Sequence, residues 1–419
     1  MTEVTPTGPQ DSAATTAAAV PPEAPIKAEA AQAAATKKTN LREYGIVGAL
    51  VAIVILFQVL TGGKLLMPDN VASLFQQNAY VMVLAIGMVM VIIAGHIDLS
   101  VGSIVAFIGG VLAIAMVNWN LPWVLAVIIG LALGLVIGAW QGFWVAYVGV
   151  PAFIVTLAGM LIFRGLAILI VGETIAGLPS GFVGISNAGL LGLLGYAGAA
   201  DILTLVIGIA AIVAFLFSQL RTRRTMKSHD LRVEPSAMFL TKLVGVSLLI
   251  AVFTWILAQS AIGTPYVLIL VAILILAYAF LMGRTVFGRH IYAIGGNVHA
   301  AVLSGVNVKT MNFRIFVNMG LLASIAALVT TSRAGAALAA AGSNYELDAI
   351  AACFIGGTAV TGGVGKVSGV IVGALIMGVL NMGLSIIGTN PALQNVIKGL
   401  VLLIAVAFDL INKRRAAGA

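Results

Sequence analysis

The chain has 419 residues, of which 61% are hydrophobic and only 9% are charged, and its mean hydropathy is +1.12. This composition excludes a soluble domain and predicts a polytopic membrane protein. The net charge of +8 does not indicate a nucleic-acid partner, because the basic residues fall in short loops between apolar segments. A lone cysteine, Cys353, excludes a disulfide framework.

Residues 1–40 are rich in Ala, Thr, Pro and Glu and contain no aromatic residue. Such a segment cannot bury enough apolar surface to fold, so we predict a disordered N-terminal tail. Lys37, Lys38 and Arg42 then precede the first apolar segment, which places the N-terminus in the cytoplasm.

About twelve apolar segments follow the tail. A full membrane span needs about 20 residues, and the segments 79–95 and 347–362 are shorter. We interpret these two as halves of broken or re-entrant elements. The sequence therefore predicts an all-α, polytopic inner-membrane bundle of about ten transmembrane helices, because lipid admits only helices or closed barrels.

The basic loops set the orientation of this bundle. An even number of crossings leaves the basic residues of 221–242, 284–314 and 413–415 on one side, which the positive-inside bias makes cytoplasmic. Both termini are then cytoplasmic. We predict a single transmembrane domain over 41–415 with a cytoplasmic loop at 284–312, followed by a C-terminal tail at 416–419.

The loop 284–312 is a polar island with basic residues at its edges. Asn297 can cap a short helix, and Gly305 can adopt the left-handed conformation that ends one. Gly295 and Gly296 allow a bend before it. Two helical turns are not stable alone, so we predict a cytoplasmic helix that lies parallel to the membrane and docks on a partner.

His96 and Asp98 lie in the sequence GHIDLSVGS, between two apolar segments. An ionisable pair at membrane depth would be costly and therefore functional, for example as a proton relay. We favour the alternative that both lie near the cytoplasmic interface, where Asp98 and Ser100 cap the next helix. Such a cap would still shape a transport pathway.

Other polar residues lie within apolar segments. Arg164 is near the middle of one, so it needs an acidic or carbonyl partner inside the bundle, and structural pairing is favoured over substrate contact. Glu346 and Asp348 suit a helix N-terminus. Asn318 could line a pathway, although hydrogen bonding between helices is the commoner use. The candidates for the translocation pathway or gate are Asp98, Ser100, Arg164, Asn318 and Asp348.

The sequence TGGVGKVS at 361–368 looks like a phosphate-binding loop, but Val360 stands where the first glycine belongs and Val367 where Ser or Thr should bind Mg²⁺. The glycines are better explained by a tight bend between two helices. We predict no nucleotide site, metal cluster, cofactor or catalytic triad, and hence no enzyme activity of the chain itself.

A short repeat suggests duplication. FIGG occurs at 107–110 and again at 354–357, each time after an acidic stretch. In the predicted topology the two copies enter the membrane from opposite sides, as an inverted repeat requires. Four matching residues leave the duplication open.

Long stretches of the chain resemble the permease subunits of bacterial ABC sugar importers of the ribose, xylose and arabinose type. The resemblance covers nearly the whole chain from about residue 44, and the layout most resembles the D-xylose permeases within that family. The matching stretches are AGHIDLSVGSIVAFIGG, GAWQGFWVAYVGVPAFIVTLAGMLIFRG, TVFGRHIYAIGGNVHAAVLSGVNV and ELDAIAACFIGGTAVTGGVGKVSG.

The resemblance implies the permease subunit of an ATP-driven importer that carries a monosaccharide, D-xylose first, across the bacterial inner membrane. It implies a permease homodimer in lipid, a cytoplasmic ATPase with two nucleotide-binding modules, and a periplasmic sugar-binding protein. It also implies that the short helix of the polar island is the coupling helix that sits in a groove of the ATPase. By position, the contact residues would be Gly295, Gly296, Asn297, Ala301, Ser304 and Gly305.

Three kinds of alternative stay open, and one of them is a channel or a structural membrane protein, for which a fixed opening would give downhill flux without energy input. Another is a secondary sugar transporter in which His96 and Asp98 relay protons, and it would need no ATPase. The third is an ABC permease for ribose, arabinose or galactose, because the permease sequence says little about which sugar is carried.

Overall fold

The computed structural model describes residues 45–231 and 233–417. The predicted N-terminal tail and the basic residues before the first apolar segment lie outside this part of the chain. At the other end, a helix runs to Ala417, so the predicted C-terminal tail begins as part of that helix.

The described part of the chain is built almost entirely of α-helices. Nine helices among these residues are long and apolar enough to cross a membrane. This confirms the predicted polytopic helical bundle. The helices are α1 (Gly45–Leu60), α2 (Pro68–Ile93), α3 (Val101–Ala113), α4 (Trp123–Phe143), α5 (Ala152–Val171), α6 (Ser180–Asn187), α7 (Ile202–Ser228), α8 (Ser236–Ala258), α9 (Tyr266–Arg284), α10 (Val286–Gly296), α11 (Val298–Leu303), α12 (Val308–Ala334), α13 (Tyr345–Ile355), α14 (Val367–Ile386) and α15 (Pro391–Ala417).

Prolines mark the start of many of these helices. A proline has no backbone N–H, and the first residues of a helix have no intrahelical acceptor for that group, so a proline there leaves no donor unsatisfied. Pro68 and Pro391 open α2 and α15, and a proline immediately precedes α4, α5, α6, α8 and α9.

The centre of the bundle is formed by α2 and α12, which pack on each other and are largely buried. Glycines let α4 pack directly on α12: a Cβ at Gly320 would overlap the carbonyl oxygen of Gly134. In contrast, α7 and α8 form a peripheral hairpin that exposes most of its apolar surface. Apolar residues all around such helices suit contact with lipid.

The structure corrects the sequence-based interpretation of the segment 79–95. It belongs to α2, which begins at Pro68 and has 26 residues, so it is a full span and not half of a broken element. The polar run Gln76–Asn78 hid the first part of this helix. The run is buried inside the bundle or borders a cavity, and it therefore does not interrupt the helix.

The breaks in the bundle follow α2 and α12. After α2, residues 94–100 lead back into the bundle without helical structure, and α3 continues to the far end. After α12, the strand β4 (Ala336–Leu338) and the loop that follows enter from that far end, and the short helix α13 continues. The two helix pairs run in opposite directions, an arrangement of the kind found in inverted repeats.

The polar island contains two helices, α10 and α11, where the sequence indicated one. Gly295 and Gly296 are the last residues of α10, and the chain changes direction at Asn297, which has φ −157° and ψ 104°. We call this side of the bundle the α11 end.

Short strands lie at the opposite end of the bundle. There β1 (Thr174–Ala176) pairs antiparallel with β4, and β2 (Tyr196–Ala197) pairs with β3 (Ala200–Asp201). The helix α12 has 27 residues and is therefore about 40 Å long, which separates this end from α11.

Candidate functional site

The short helix α11 is capped at both ends as the sequence predicts. Asn297 Oδ1 accepts the backbone N–H of Ala300 at 3.0 Å. At the other end, Gly305 has φ +82° and donates its N–H to the carbonyl of Val302 at 2.9 Å. The hydroxyl of Ser304 donates to the carbonyl of Ala300, which satisfies another terminal acceptor.

The end of α10 is anchored to the broken part of the bundle. Gly363 N–H donates to the carbonyl of Ile93 at 2.9 Å, and a Cβ at Gly295 would overlap that same carbonyl. The Tyr292 hydroxyl donates to the carbonyl of Gly365 at 2.7 Å. Burial raises the pKa of Tyr292, so its hydroxyl remains a donor. These contacts join α10 to the end of α2 and to the loop before α14.

The exposed surface of α11 differs from the predicted contact set. Ala301 is only 4% exposed and packs inside the chain, and Gly295 is enclosed as described. The large apolar side chains that face outward are Val298, Val302 and Leu303, and Leu303 is 89% exposed. The sequence signal for this surface is that these apolar residues stand within a polar island.

The segment between α2 and α3 is held by a polar chain. Asp98 Oδ1 accepts the backbone N–H of Ser100 at 2.8 Å and the Ser100 hydroxyl at 2.6 Å. Gln141 of α4 donates its amide to the same hydroxyl at 2.6 Å. Asp98 therefore braces the segment before α3 through Ser100, but the predicted cap is not formed, because Ser100 is the N-cap residue and no side chain accepts an N–H of the first turn of α3. Asp98 is also fully buried and not at an exposed interface. Within the described residues, Asp98 and His96 share no hydrogen bond.

Arg164 finds backbone carbonyls as its partners. Its Nη1 donates to the carbonyl of Ala339 at 3.1 Å and to that of Ala341 at 2.7 Å. These carbonyls belong to the irregular stretch between β4 and α13, where no helix satisfies them. Arg164 thus supports the second break of the bundle, which agrees with the expectation of structural pairing.

The two breaks meet inside the bundle. A Cβ at Gly102, near the start of α3, would overlap the carbonyl oxygen of Gly342, and a Cβ at Gly342 would overlap that of Gly102. Glu346 of α13 also borders Gly102. The N-terminal ends of the two broken helices are therefore in direct backbone contact, where the positive ends of both helix dipoles favour negative charge.

Asp348 has partners that the sequence did not indicate. It accepts the Tyr80 hydroxyl at 2.8 Å and lies 3.3 Å from Lys398 Nζ of α15. This buried ion pair joins α2, α13 and α15. A lysine near the end of an apolar segment normally extends to the membrane surface, so the sequence gives no signal for this pairing of Lys398.

Asn318 links three helices. Its Oδ1 accepts the Tyr278 hydroxyl of α9 at 2.6 Å, and its amide lies 3.9 Å from the sulfur of Met90 in α2. This is the hydrogen bonding between helices that the sequence analysis regarded as the commoner use. Among the described residues, no group of three or more His, Cys, Asp or Glu side chains could hold a metal ion.

Comparison with known proteins identifies related chains. The model of a family described as "Branched-chain amino acid transport system / permease component" matches residues 70–406. The xylose transport system permease protein XylH of Haemophilus influenzae is 41% identical over 381 residues, which cover 90% of this chain and 99% of that protein. XylH of Escherichia coli is 41% identical over 383 residues, which cover 91% of this chain and 94% of that protein.

A more distant relative is the ribose import permease protein RbsC of Escherichia coli. It is 31% identical over 347 residues, which cover 83% of this chain and 87% of that protein. No solved structure matches the chain significantly. Because the family model covers most of the described helices and the permease relatives align over nearly their whole length, this chain belongs to the family of transport-system permease components.

Proposed function

We propose that the chain is the permease subunit of an ATP-driven importer that moves a monosaccharide, D-xylose, across the bacterial inner membrane. The observation that carries the proposal is the 41% identity to xylose transport permeases over 90% of the chain. The structure adds a mechanical reason: an exposed, capped helix at one end is rigidly joined to the broken helices. Ribose is the second candidate substrate, supported by the weaker identity of 31% to RbsC.

The α11 end of the bundle is the cytoplasmic end in this proposal. Basic residues cluster there, at the end of α7 and along α10, as the positive-inside bias requires. An even number of crossings then leaves both termini in the cytoplasm. The opposite end, with its short strands, faces the periplasm and receives sugar from a binding protein.

The partner on the cytoplasmic side is an ATPase with two nucleotide-binding modules. Val298, Val302 and Leu303 of α11 form an apolar surface that a groove of this ATPase covers. Gly296, Asn297, Ser304 and Gly305 surround it, whereas Gly295 and Ala301 hold α11 against its own chain. ATP hydrolysis belongs to the partner, and two permease chains form the dimer that two modules require.

Transport follows from a two-state change in the bundle. Closure of the ATPase modules on ATP displaces α11, and the contacts of Gly295 and Tyr292 carry that displacement to α2 and the loop before α14. The breaks at Gly102 and Gly342 are the points where the bundle can switch between its two exposures. ATP biases the switch because it binds the ATPase with unequal affinity in the two states of the transporter.

The alternative of a proton-coupled transporter rests on His96 and Asp98. It is not favoured, because Ser100 engages Asp98 Oδ1 and no hydrogen bond joins Asp98 to His96 among the described residues, where Asp98 Oδ2 and His96 Nε2 are each buried without a partner. A direct relay between the two side chains has no hydrogen-bonded path in this arrangement.

The test uses the chain co-purified with its candidate ATPase and reconstituted with a sugar-loaded binding protein. Leu303→Glu places a charge in the apolar centre of the proposed contact, which should lower sugar-stimulated ATP hydrolysis by at least about tenfold. Leu303 is 89% exposed, so the substitution leaves the fold of the permease intact.

The matched control is Leu231→Glu, the same change at an exposed position in the loop between α7 and α8. It should retain wild-type hydrolysis. Uptake of sugar on a proton gradient without any associated ATPase would contradict the proposal, as would equal loss of activity in both variants.

A further inference from the structure

A cavity of about 220 Å³ lies between α2, the last turn of α12 and the stretch from β4 to α13. It is near the end of the bundle opposite α11, since α12 ends there. The side chains around it combine amides, hydroxyls and aromatic rings: Gln76, Tyr80, Thr330, Thr331, Arg333 and Tyr345. None of these residues was singled out from the sequence as a site.

Gln76 gives the first sign that the cavity receives a ligand. Its side chain is only 7% exposed, yet no hydrogen bond engages its amide within the part of the chain that the structure describes. The amide atoms of Gln76 keep some accessible surface, so they border open space and not packed protein. Because Gln76 lines the cavity, its donor and acceptor are available to whatever occupies that space.

Arg333 gives an independent second sign. Its Nη1 donates to Asn187 Oδ1 at 2.7 Å, which fixes the guanidinium in place. Its Nε is buried and has no hydrogen-bond partner among the described residues. Polar groups from two different helices, Gln76 of α2 and Arg333 of α12, therefore line one cavity, and Arg333 Nε is without a partner there.

Two tyrosines form an aromatic wall of the cavity. The rings of Tyr80 and Tyr345 are stacked with centroids 3.6 Å apart and an angle of 18° between their planes. The hydroxyl of Tyr80 is held by Asp348, so this ring cannot rotate freely. The combination of rigid aromatic surface and a few fixed polar groups is typical of small-molecule sites.

We propose that this cavity binds a neutral monosaccharide within the permease itself. The volume lies below the range of about 300 to 1,000 Å³ that larger ligands occupy, which suits a single sugar ring. Arg333 is the one charged side chain among the lining residues, and the other polar groups are neutral amides and hydroxyls. These groups match the many hydroxyls and the apolar C–H faces of a sugar.

This inference rests on the proposed transport of sugar and specifies where the sugar binds after it enters from the periplasmic side. The site lies beside the second break of the bundle. Ala341 lines the cavity, and its carbonyl accepts a hydrogen bond from Arg164. A sugar in the cavity therefore contacts the segment that the proposed switch must move.

The direct test measures sugar binding to the full-length chain in lipid nanodiscs by saturation-transfer difference NMR, with D-xylose as the probe. Gln76→Leu should weaken the apparent affinity about tenfold, equal to about 1.4 kcal/mol, because it removes the hydrogen bonds of one buried amide. Thr330→Val, which keeps the side-chain volume, should weaken binding in the same direction.

The matched control is Gln259→Leu, which removes the same amide at an exposed position at the end of α8, outside the cavity. It should bind D-xylose as the wild type does. Equal binding by the wild type, Gln76→Leu and Thr330→Val would overturn the site. Preferential binding of xylonate over D-xylose would overturn its assignment to a neutral sugar.

Import assays with the complete transporter separate this inference from the proposed function. If the wild type imports D-xylose and Gln76→Leu imports it equally fast at low sugar concentration, the cavity is not on the route and the transport function stands. If the wild type imports no sugar although Gln76-dependent binding is observed, the transport function fails and the site stands.

Discussion

At the residue scale, the polar side chains inside the bundle are explained by the partners that they find. Arg164 supplies donors to two carbonyls that lie outside any helix, and Asp98 receives two donors from Ser100. In lipid, unsatisfied polar groups are especially costly, so each irregular backbone stretch needs such a partner. These residues hold the breaks in place.

The ion pair of Asp348 and Lys398 yields a stability prediction. Lys398→Met should lower the free energy of unfolding by about 3 kcal/mol, because it leaves Asp348 buried with Tyr80 as its donor. Removing one partner of a buried ion pair usually costs about 3 to 5 kcal/mol. We expect the lower end of this range because the Lys398 side chain is 20% exposed. The measurement is unfolding in mixed micelles titrated with sodium dodecyl sulfate.

The double variant Asp348→Asn with Lys398→Met is the control for this pair. It removes both charges and should regain most of the lost stability, since no uncompensated charge remains buried. If the single and double variants unfold at the same detergent fraction, the pair does not stabilise the bundle.

At the element scale, the helices α10 and α11 act as one arm that ends in an exposed apolar tip. A helix of six residues is too short to be stable alone, so its caps matter more than in a long helix. Asn297 begins α11 and Gly305 follows its end, while the contacts of α10 with Ile93 fix the arm to the bundle.

The Asn297 cap can be tested by hydrogen exchange. Asn297→Ala should destabilise α11 by about 1 kcal/mol and so raise amide exchange in 298–305 about fivefold, because the Ala300 N–H loses its acceptor. Asn297→Asp keeps a capping oxygen and should exchange as slowly as the wild type. Unchanged exchange in Asn297→Ala would show that tertiary contacts alone hold α11.

At the scale of the whole molecule, the bundle contains two oppositely directed helix pairs, α2 with α3 and α12 with α13, whose breaks meet at Gly102 and Gly342. Their close approach leaves no space for a side chain on either residue. Gly342 also has φ +69°, a conformation that other residues rarely adopt. The crossing is therefore a specific backbone contact between the two halves.

Gly102→Ala tests this crossing. The added Cβ would overlap the Gly342 carbonyl and the Glu346 carboxylate, so the unfolding temperature should fall, in line with the loss of about 1 to 3 kcal/mol typical of overpacking. Gly165→Ala in α5 is the control, since open space surrounds that position. A wild-type unfolding temperature for Gly102→Ala would contradict a tight crossing.

The sequence by itself determined the membrane class, most helix positions and both caps of α11, because these depend on local composition and periodicity. Only the tertiary structure decided the partners of Arg164 and Asp348, the true length of α2, and the inward direction of Ala301. These depend on which residues from distant segments come together. Gln76 shows the reason: it precedes the apolar segment 79–95 in the sequence, and only the packed bundle places it within α2 beside a cavity.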